Sequence, residues 1–262
     1  MGMLDGKIAI ITGAGSGIGR AIAEAYLQEG AFVTVTAARE QTELDSLAQQ
    51  GWAEHLLPML ADVTDPQACQ QVVDQTIQHF GQIDILVNNA GRGMKYVHSA
   101  FMTEPSRFWE VDPSTWRMII ETNVNGPFYM TRAVVTHLIN QQRGGSILNI
   151  SASYATMKRR GFSPYGPSKA ALEAASAIWA QDLGESHIRV NILLPGGATN
   201  TGMLPSETSE DTRAGLLQPE IMKAPAVFLA SDASEGVTGR RLVATEWSIV
   251  HPTGTAIVDG IG

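Results

Sequence analysis

Residues 7–29 read K-I-A-I-I-T-G-A-G-S-G-I-G-R-A-I-A-E-A-Y-L-Q-E, and the order of residue types here decides the fold. Lys7–Thr12 is a short run, apolar at successive positions, as in a strand covered on both faces. Gly17–Glu29 carries the apolar spacing of an amphipathic helix. A glycine-rich turn, Gly13-Ala14-Gly15-Ser16-Gly17-Ile18-Gly19, joins the two. Gly13 permits a sharp exit from the strand, and Gly19 lets helix and sheet pack closely. Gly17 lets the backbone approach a pyrophosphate, whose charge meets free N–H groups at the positive end of the helix.

The same alternation repeats outward from this unit. Further strands are predicted at Phe32–Ala37, Glu54–Leu60, Ile83–Asn88, Ser146–Ser151, Arg189–Leu194 and Arg240–Ala244. Helices are predicted over Pro66–Phe80, from a capping Asp112 and first-turn Pro113 onward, and from about Pro167 to Leu183. Strands that alternate with helices imply an α/β chain with right-handed crossovers. The expected architecture is a doubly wound, seven-stranded parallel sheet with helices on both faces. No repeat, low-complexity stretch or linker interrupts it, so residues 1–262 are expected to form one domain. Two stretches, 92–111 and 199–219, read as long loops after strands, where such sheets bind ligands, and a tail runs over about 245–262.

Composition narrows the function classes. Hydrophobic residues make up 44% and charged residues 17%, which excludes a disordered chain. A net charge of −8 argues against a nucleic-acid partner, because phosphate backbones need a basic face. Cys69 is the single cysteine, so no intrachain disulfide can form. The apolar run before Gly13 is too short for a signal peptide or a membrane span. A cytoplasmic protein without membrane partner or metal site is expected.

Two further segments carry chemistry. Asn88-Asn89-Ala90-Gly91 ends the fourth strand, either as a simple turn or as polar groups beside a ribose. Tyr165-Gly166-Pro167-Ser168-Lys169 opens a helix with tyrosine and lysine one turn apart, on one face. A phenol ordinarily titrates near ~10, too high for acid/base work at neutral pH. An ammonium one turn away is expected to lower it.

Taken in order, T-G-x-x-x-G-x-G, N-N-A-G and Y-x-x-x-K, each on its expected element, resemble the short-chain dehydrogenase/reductase family in its compact, single-domain Rossmann branch. The resemblance covers about Leu4 to Val243. It extends to Asp62-Val63, to Asn123 within Thr122-Asn123-Val124, to Asn149-Ile150-Ser151 and to Arg189-Val190-Asn191 with Pro195-Gly196. It implies that Tyr165 exchanges a proton with the substrate oxygen while a hydride passes to or from a nicotinamide ring. Lys169 would lower the tyrosine pKa and hold the nicotinamide ribose, and Asn123 would anchor a water. Asp62 and Val63 would flank the adenine. Asn89, Ala90 and Gly91 would line the ribose path, and Pro195, Gly196 and Thr199 would close over the nicotinamide and pyrophosphate. A homodimer or homotetramer is implied as well.

The chain departs from the family pattern at the serine that polarises the substrate oxygen. The slot thirteen residues before Tyr165 holds Ala152, with Ser151 and Ser153 on either side. Either serine is a candidate, and Ser153 is favoured because it lies where the strand gives way to loop. The second strand ends in Ala37-Ala38-Arg39, with no acid to accept the 2′-hydroxyl of NAD. Arg39 could reach a 2′-phosphate and favours NADP(H), with NAD(H) as the other choice, although Ser16 stands where many NADP-using members of the family carry a base. The substrate, a small carbonyl or alcohol, would lie among residues 92–111, 153–162 and 204–217. Met94, Phe101, Met102, Phe108 and Trp109 are candidates for its apolar wall, and Lys158-Arg159-Arg160 for attracting an anion. The competing readings are a non-catalytic NADP-binding sensor or scaffold on the same fold, and a sugar-nucleotide epimerase or dehydratase. The second is disfavoured because those relatives add a substrate domain after the sheet.

Overall fold

Burial at successive positions of the central strands, whose side chains alternate between two faces, sets the layers of the computed structural model, which describes residues 2–250 and 253–257. The elements follow in chain order as β1 (Ile8–Ile11), α1 (Gly17–Gln28), β2 (Phe32–Ala37), α2 (Gln41–Ala48), β3 (Leu56–Leu60), α3 (Pro66–Phe80), β4 (Ile85–Asn88), α4 (Pro113–Ile120) and α5 (Gly126–Gln141). After these come β5 (Gly145–Ile150), α6 (Tyr154–Met157), α7 (Tyr165–Asp182), β6 (Ile188–Leu194), α8 (Glu210–Ala214), α9 (Lys223–Ala230), β7 (Arg240–Val243) and β8 (Thr255–Ala256). Ala9, Ile11, Ile85, Val87 and Leu148 face one way, into a core closed by Ile22 and Tyr26 of α1, Leu44 and Leu47 of α2, and Leu229 of α9. Ile10, Leu86, Ile147 and Val190 face the other way, against Val72 and Val73 of α3, Val134 of α5 and Ala180 of α7. Both faces of the sheet are thus dry, which explains why its strands are apolar at successive positions.

The strand order is β3-β2-β1-β4-β5-β6-β7-β8. Seven strands run parallel as expected. The eighth corrects the seven-strand expectation: β8 pairs antiparallel with β7, Arg240 opposite Ala256 and Arg241 opposite Thr255. It comes from the region read as a tail. It is held there by Arg240, which donates from Nε to the Thr253 carbonyl at 2.9 Å, and by the burial of Ile257. Two residues of strand carry too little pattern to be read. Of the expected tail, residues 251, 252 and 258–262 lie outside the described residues.

Three helical features differ from the expected layout for physical reasons. α2 (Q-T-E-L-D-S-L-A) turns only Leu44 and Leu47 inward, so its apolar stripe is short. α9 is buried over Pro225–Ala230 and therefore shows no polar face. Asp112 caps α4 as predicted, accepting from the Ser114 N–H at 2.7 Å. The helical path then passes through a π-turn, Glu121–Asn125, before continuing as α5. That wider turn rotates Thr122 and Asn123 into the interior.

The topology fixes where a ligand can sit. Strand order reverses between β1 and β4, so the connections leaving their carboxyl ends diverge to opposite faces and open a crevice. The two expected loops frame it. Residues 92–111 contain short 3₁₀ turns at Met94–Tyr96 and Phe108–Glu110, and residues 199–219 contain α8. Among the described residues, no helix is long and apolar enough to cross a membrane.

Candidate active site

At the carboxyl end of β1 the chain turns through Gly13, whose φ of 64° is disfavoured for any residue with a side chain. The turn is pinned from the neighbouring strand. The Thr12 hydroxyl accepts the N–H groups of Asn89 and Ala90 at 3.1 and 3.0 Å. The Asn89 amide in turn donates to the carbonyls of Thr12 and Gly13 at 2.9 and 2.8 Å. Asn89 is therefore more than a turn residue: it ties β1 to β4 at the mouth of the crevice. Asn88 points inward, donating to Thr131 Oγ1 at 3.0 Å and to Asn149 Oδ1 at 2.8 Å, and Asn149 donates to Ser176 Oγ at 2.7 Å. This buried chain of hydrogen bonds joins β4, β5, α5 and α7 beneath the site.

The crevice is a cleft of about 600 Å³. At one end stand Gly13, Ser16, Gly17 and Ile18, with Arg39, Asp62 and Val63 beside them. Asn89, Ala90 and Gly91 form its floor, and Pro195, Gly196 and Thr199 form the facing lip. Ser151, Ser153, Tyr165 and Lys169 lie at the other end. Gly19 and Asn123 do not line it. Gly19 is buried in α1 against the turn. The Asn123 side chain is fully enclosed, donating to the Arg92 carbonyl and to Ser168 Oγ, each at 2.9 Å, and accepting the Arg92 N–H at 2.8 Å. It positions the start of the 92–111 loop against α7.

An elongated dinucleotide fits these surroundings. Gly17 has a φ of 57°, and a Cβ there would press against Thr201 of the facing lip at 3.2 Å, so glycine keeps the cleft open at this point. Beside it, Ser16 is exposed at the start of α1, whose first N–H groups receive no side-chain cap.

Tyr165 and Lys169 stand one turn apart on α7, with the lysine Nζ 6.0 Å from the tyrosine ring centre. The expected acidic phenol is not what this geometry gives. Burial pushes the Tyr165 phenol up to about 12. The Lys169 ammonium turns to the Ile150 carbonyl, to which it donates at 2.8 Å. Burial brings Lys169 down to about 8, partly opposed by the Glu173 carboxylate one turn further along.

The two serines differ in their hydrogen bonding. Ser153 caps α6: its Oγ accepts the Thr156 N–H at 3.1 Å and lies 2.9 Å from Thr156 Oγ1. Ser151 Oγ is buried and has no hydrogen-bond partner among the described residues. Of the basic run 158–160, only Arg159 reaches the cleft. Phe101, Met102 and Met94 line it as expected, whereas Phe108 and Trp109 do not. Those two stack edge-to-face with each other at 5.2 Å and stay 68% and 65% exposed. Their turn projects away from the sheet.

Three residues that sequence reasoning missed shape the site. Glu173 and Arg241 form a buried ion pair, the arginine Nε lying 3.1 Å from both carboxylate oxygens. Arg241 also donates to the Ala152 carbonyl at 2.9 Å, and its guanidinium stacks 3.8 Å from the Tyr154 ring centre. The pair thereby ties β7 and α7 to the residue in the serine slot. An acid in the middle of the alanine-rich helix, four after Lys169, was the available signal. Glu43 of α2 is the third: it lines the cleft, with its carboxylate against Gly15 at the phosphate turn. Among the described residues, no group of acids, histidines and cysteines is arranged to hold a metal.

A Rossmann sheet with a glycine turn at its switch point and a Tyr/Lys pair on the facing helix defines a class, and the comparisons agree. Residues 7–212 match the family model described as short chain dehydrogenase, and the chain belongs to that family. It is an NAD(P)-dependent oxidoreductase. The chain is 34% identical to the 3-oxoacyl-[acyl-carrier-protein] reductase FabG of Thermotoga maritima, over 90% of this chain and 95% of that protein. It is 35% identical to the FabG of Escherichia coli, over 91% of this chain and 95% of that one. A crystal structure of 3-ketoacyl-(acyl-carrier-protein) reductase from Brucella melitensis complexed with NADH superposes with a TM-score of 0.80. It is 27% identical, covering 92% of this chain and 97% of that one.

The buried pair gives a stability test. Arg241→Leu should destabilise the fold by about 3–5 kcal/mol, because Glu173 is left charged and unpaired. The double variant Glu173→Leu/Arg241→Leu should lie within about 1 kcal/mol of the parent, or above it. Urea unfolding measures both, and a double variant as unstable as the single one would refute the electrostatic account.

Proposed function

We propose that this protein reduces a carbonyl on a small, largely apolar substrate, or oxidises the corresponding secondary alcohol, with Tyr165 as the proton-transferring group. The observation that carries the reading is Tyr165 and Lys169, one turn apart, at the end of a dinucleotide-sized cleft opposite the glycine turn. When bound, the nicotinamide cofactor supplies or takes the hydride. The residues that would hold it are Gly13, Ser16, Gly17 and Ile18 at the pyrophosphate, with Gly19 packing α1 against the turn behind them. Asp62 and Val63 would face the adenine, Asn89, Ala90 and Gly91 the ribose, and Pro195, Gly196 and Thr199 would close the lip.

The chain's own part is proton chemistry and positioning. In reduction, the Tyr165 hydroxyl donates its proton to the substrate oxygen as negative charge develops there. Burial keeps the phenol protonated until that moment. The phenolate left behind is costly in this dry surrounding unless a cation is near. Lys169, charged below about 8, supplies it. Asn123 fixes Ser168 and Arg92 and so sets the start of α7 and the adjacent loop. Ser151, rather than the favoured Ser153, is proposed as the donor that polarises the substrate oxygen. Its hydroxyl is buried and unpartnered, whereas that of Ser153 is occupied at the cap of α6.

The adenosine end carries opposing charges. Arg39 favours a 2′-phosphate and hence NADP(H), while Glu43, against Gly15, opposes it. We propose NADP(H) as the favoured cofactor, with Glu43 moderating the preference. The chain is proposed to be one domain, because a single sheet runs through it. It is also proposed to self-associate, since Trp116 of α4, Phe128 and Ile139 of α5 and Ile178 of α7 stand 38–56% exposed.

Tyr165→Phe should abolish turnover on a ketone and alcohol panel while leaving cofactor affinity within about two-fold. Ser151→Ala should lower kcat by about 10²–10³, and Ser153→Ala much less. Retained turnover in Tyr165→Phe, followed at the absorbance of reduced cofactor, would remove Tyr165 from the mechanism. Fluorescence titration should show Arg39→Ala weakening NADP(H) more than NAD(H), and Glu43→Gln strengthening NADP(H); equal effects on both cofactors would end that assignment. Sedimentation equilibrium should give a dimer or tetramer, and a monomer at all concentrations would contradict the association.

A further inference from the structure

Charge is divided unevenly along the cleft. Its lining acids, Glu40, Glu43 and Asp62, all belong to the end that takes the adenosine. The substrate end is lined by Arg92, Lys95 and Arg159 as well as Lys169, and by no carboxylate among the described residues. A chain of net charge −8 has thus gathered cations at one end of one cleft.

Among the described residues, Arg92, Lys95 and Arg159 form no ion pair with a carboxylate. Arg92 donates to Thr122 Oγ1 at 3.1 Å and to the Met118 sulfur at 3.3 Å, and it stacks 5.1 Å from the Tyr96 ring centre. Lys95 crosses the mouth of the cleft to donate to the Gly202 carbonyl. Among the described residues Arg159 makes no side-chain hydrogen bond; its guanidinium lies 4.7 Å from the ring centre of Phe162. Phe162 is buried and packs edge-to-face with Phe101, ring centres 5.8 Å apart. Met102, Met203 and Leu204 continue this apolar wall. A guanidinium resting near an aromatic ring can keep N–H donors available, in the fork geometry that matches a carboxylate. A cleft with low-dielectric walls also concentrates the field of its cations.

We propose that the substrate carries a carboxylate on its apolar body, and that Arg159 receives it while Lys95 and Arg92 supply the surrounding positive field. This deepens the proposed oxidoreductase reading and rests on it for the chemistry at the other end of the substrate. The apolar wall between Phe101 and Leu204 accommodates the body, so the anion lies at the mouth and the reacting carbon beside Tyr165. Charge selects the substrate and orients it, whereas Tyr165 performs the proton transfer.

Binding separates this claim from turnover. Octanoate and octanamide share chain length and differ in charge, and each is titrated calorimetrically into the full chain saturated with NADP⁺. Octanoate should bind at least about 10-fold tighter, the size of one charge-assisted hydrogen bond. Arg159→Gln should erase most of that difference and leave octanamide unchanged, and Lys95→Gln should reduce it by a smaller factor. Equal affinities in the parent, no measurable octanoate binding, or an undiminished preference in Arg159→Gln would each overturn the proposal. Tyr165→Phe should keep the octanoate preference while losing turnover. Failure of the catalytic assignment is thereby distinguishable from failure of the charge assignment.

Discussion

The site depends on how the ends of β1 and β4 are held together. These strands run side by side, but their connections leave toward opposite faces, so nothing in the sheet ladder fixes the width of the gap beyond them. Thr12 and Asn89 do so. One hydroxyl accepts two backbone N–H groups from the β4 side, and one amide donates to two carbonyls of the β1 turn. Backbone groups that would otherwise go unpaired at a strand end are satisfied by side chains across the gap. The glycine turn is thereby held as a rigid cradle.

A second constraint is the cost of charge in a dry interior. Lys169 is buried and leans on the Ile150 carbonyl, with Glu173 one turn away. Glu173 is itself buried and paired to Arg241, which reaches over to the Ala152 carbonyl. The three charges form a chain from the Tyr/Lys pair to β7, and each offsets the desolvation of the next. This chain passes through the residue in the place of the family's serine. The local departure from the family pattern is thus accompanied by a bracing contact on that residue's own backbone.

Much of the fold was legible because burial on both faces leaves a plain signature. Strands 4–7 residues long, apolar at successive positions and separated by helical stretches, admit few arrangements. α2, α9 and β8 were illegible for three different reasons. α2 turns only two leucines inward, α9 is buried so completely that it has no polar face, and β8 is two residues long. The exposed Phe108 and Trp109 show the limit from the other side. Aromatic character alone does not say whether a loop residue faces a cavity or solvent.

By itself, the sequence determined the glycine turn, the succession of the seven parallel strands, and the placing of tyrosine and lysine one turn apart on one helix. Each follows from local rules of backbone freedom and side-chain period, which act within a few residues. Only the tertiary structure decided that Ser153 caps a helix while Ser151 lies unpartnered, that Glu43 reaches the phosphate turn, and that Arg241 meets Glu173. It also set the surroundings whose desolvation pushes the Tyr165 phenol up. Hydrogen-bond partners and desolvation are set by residues distant in the chain, and no spacing along the chain encodes them.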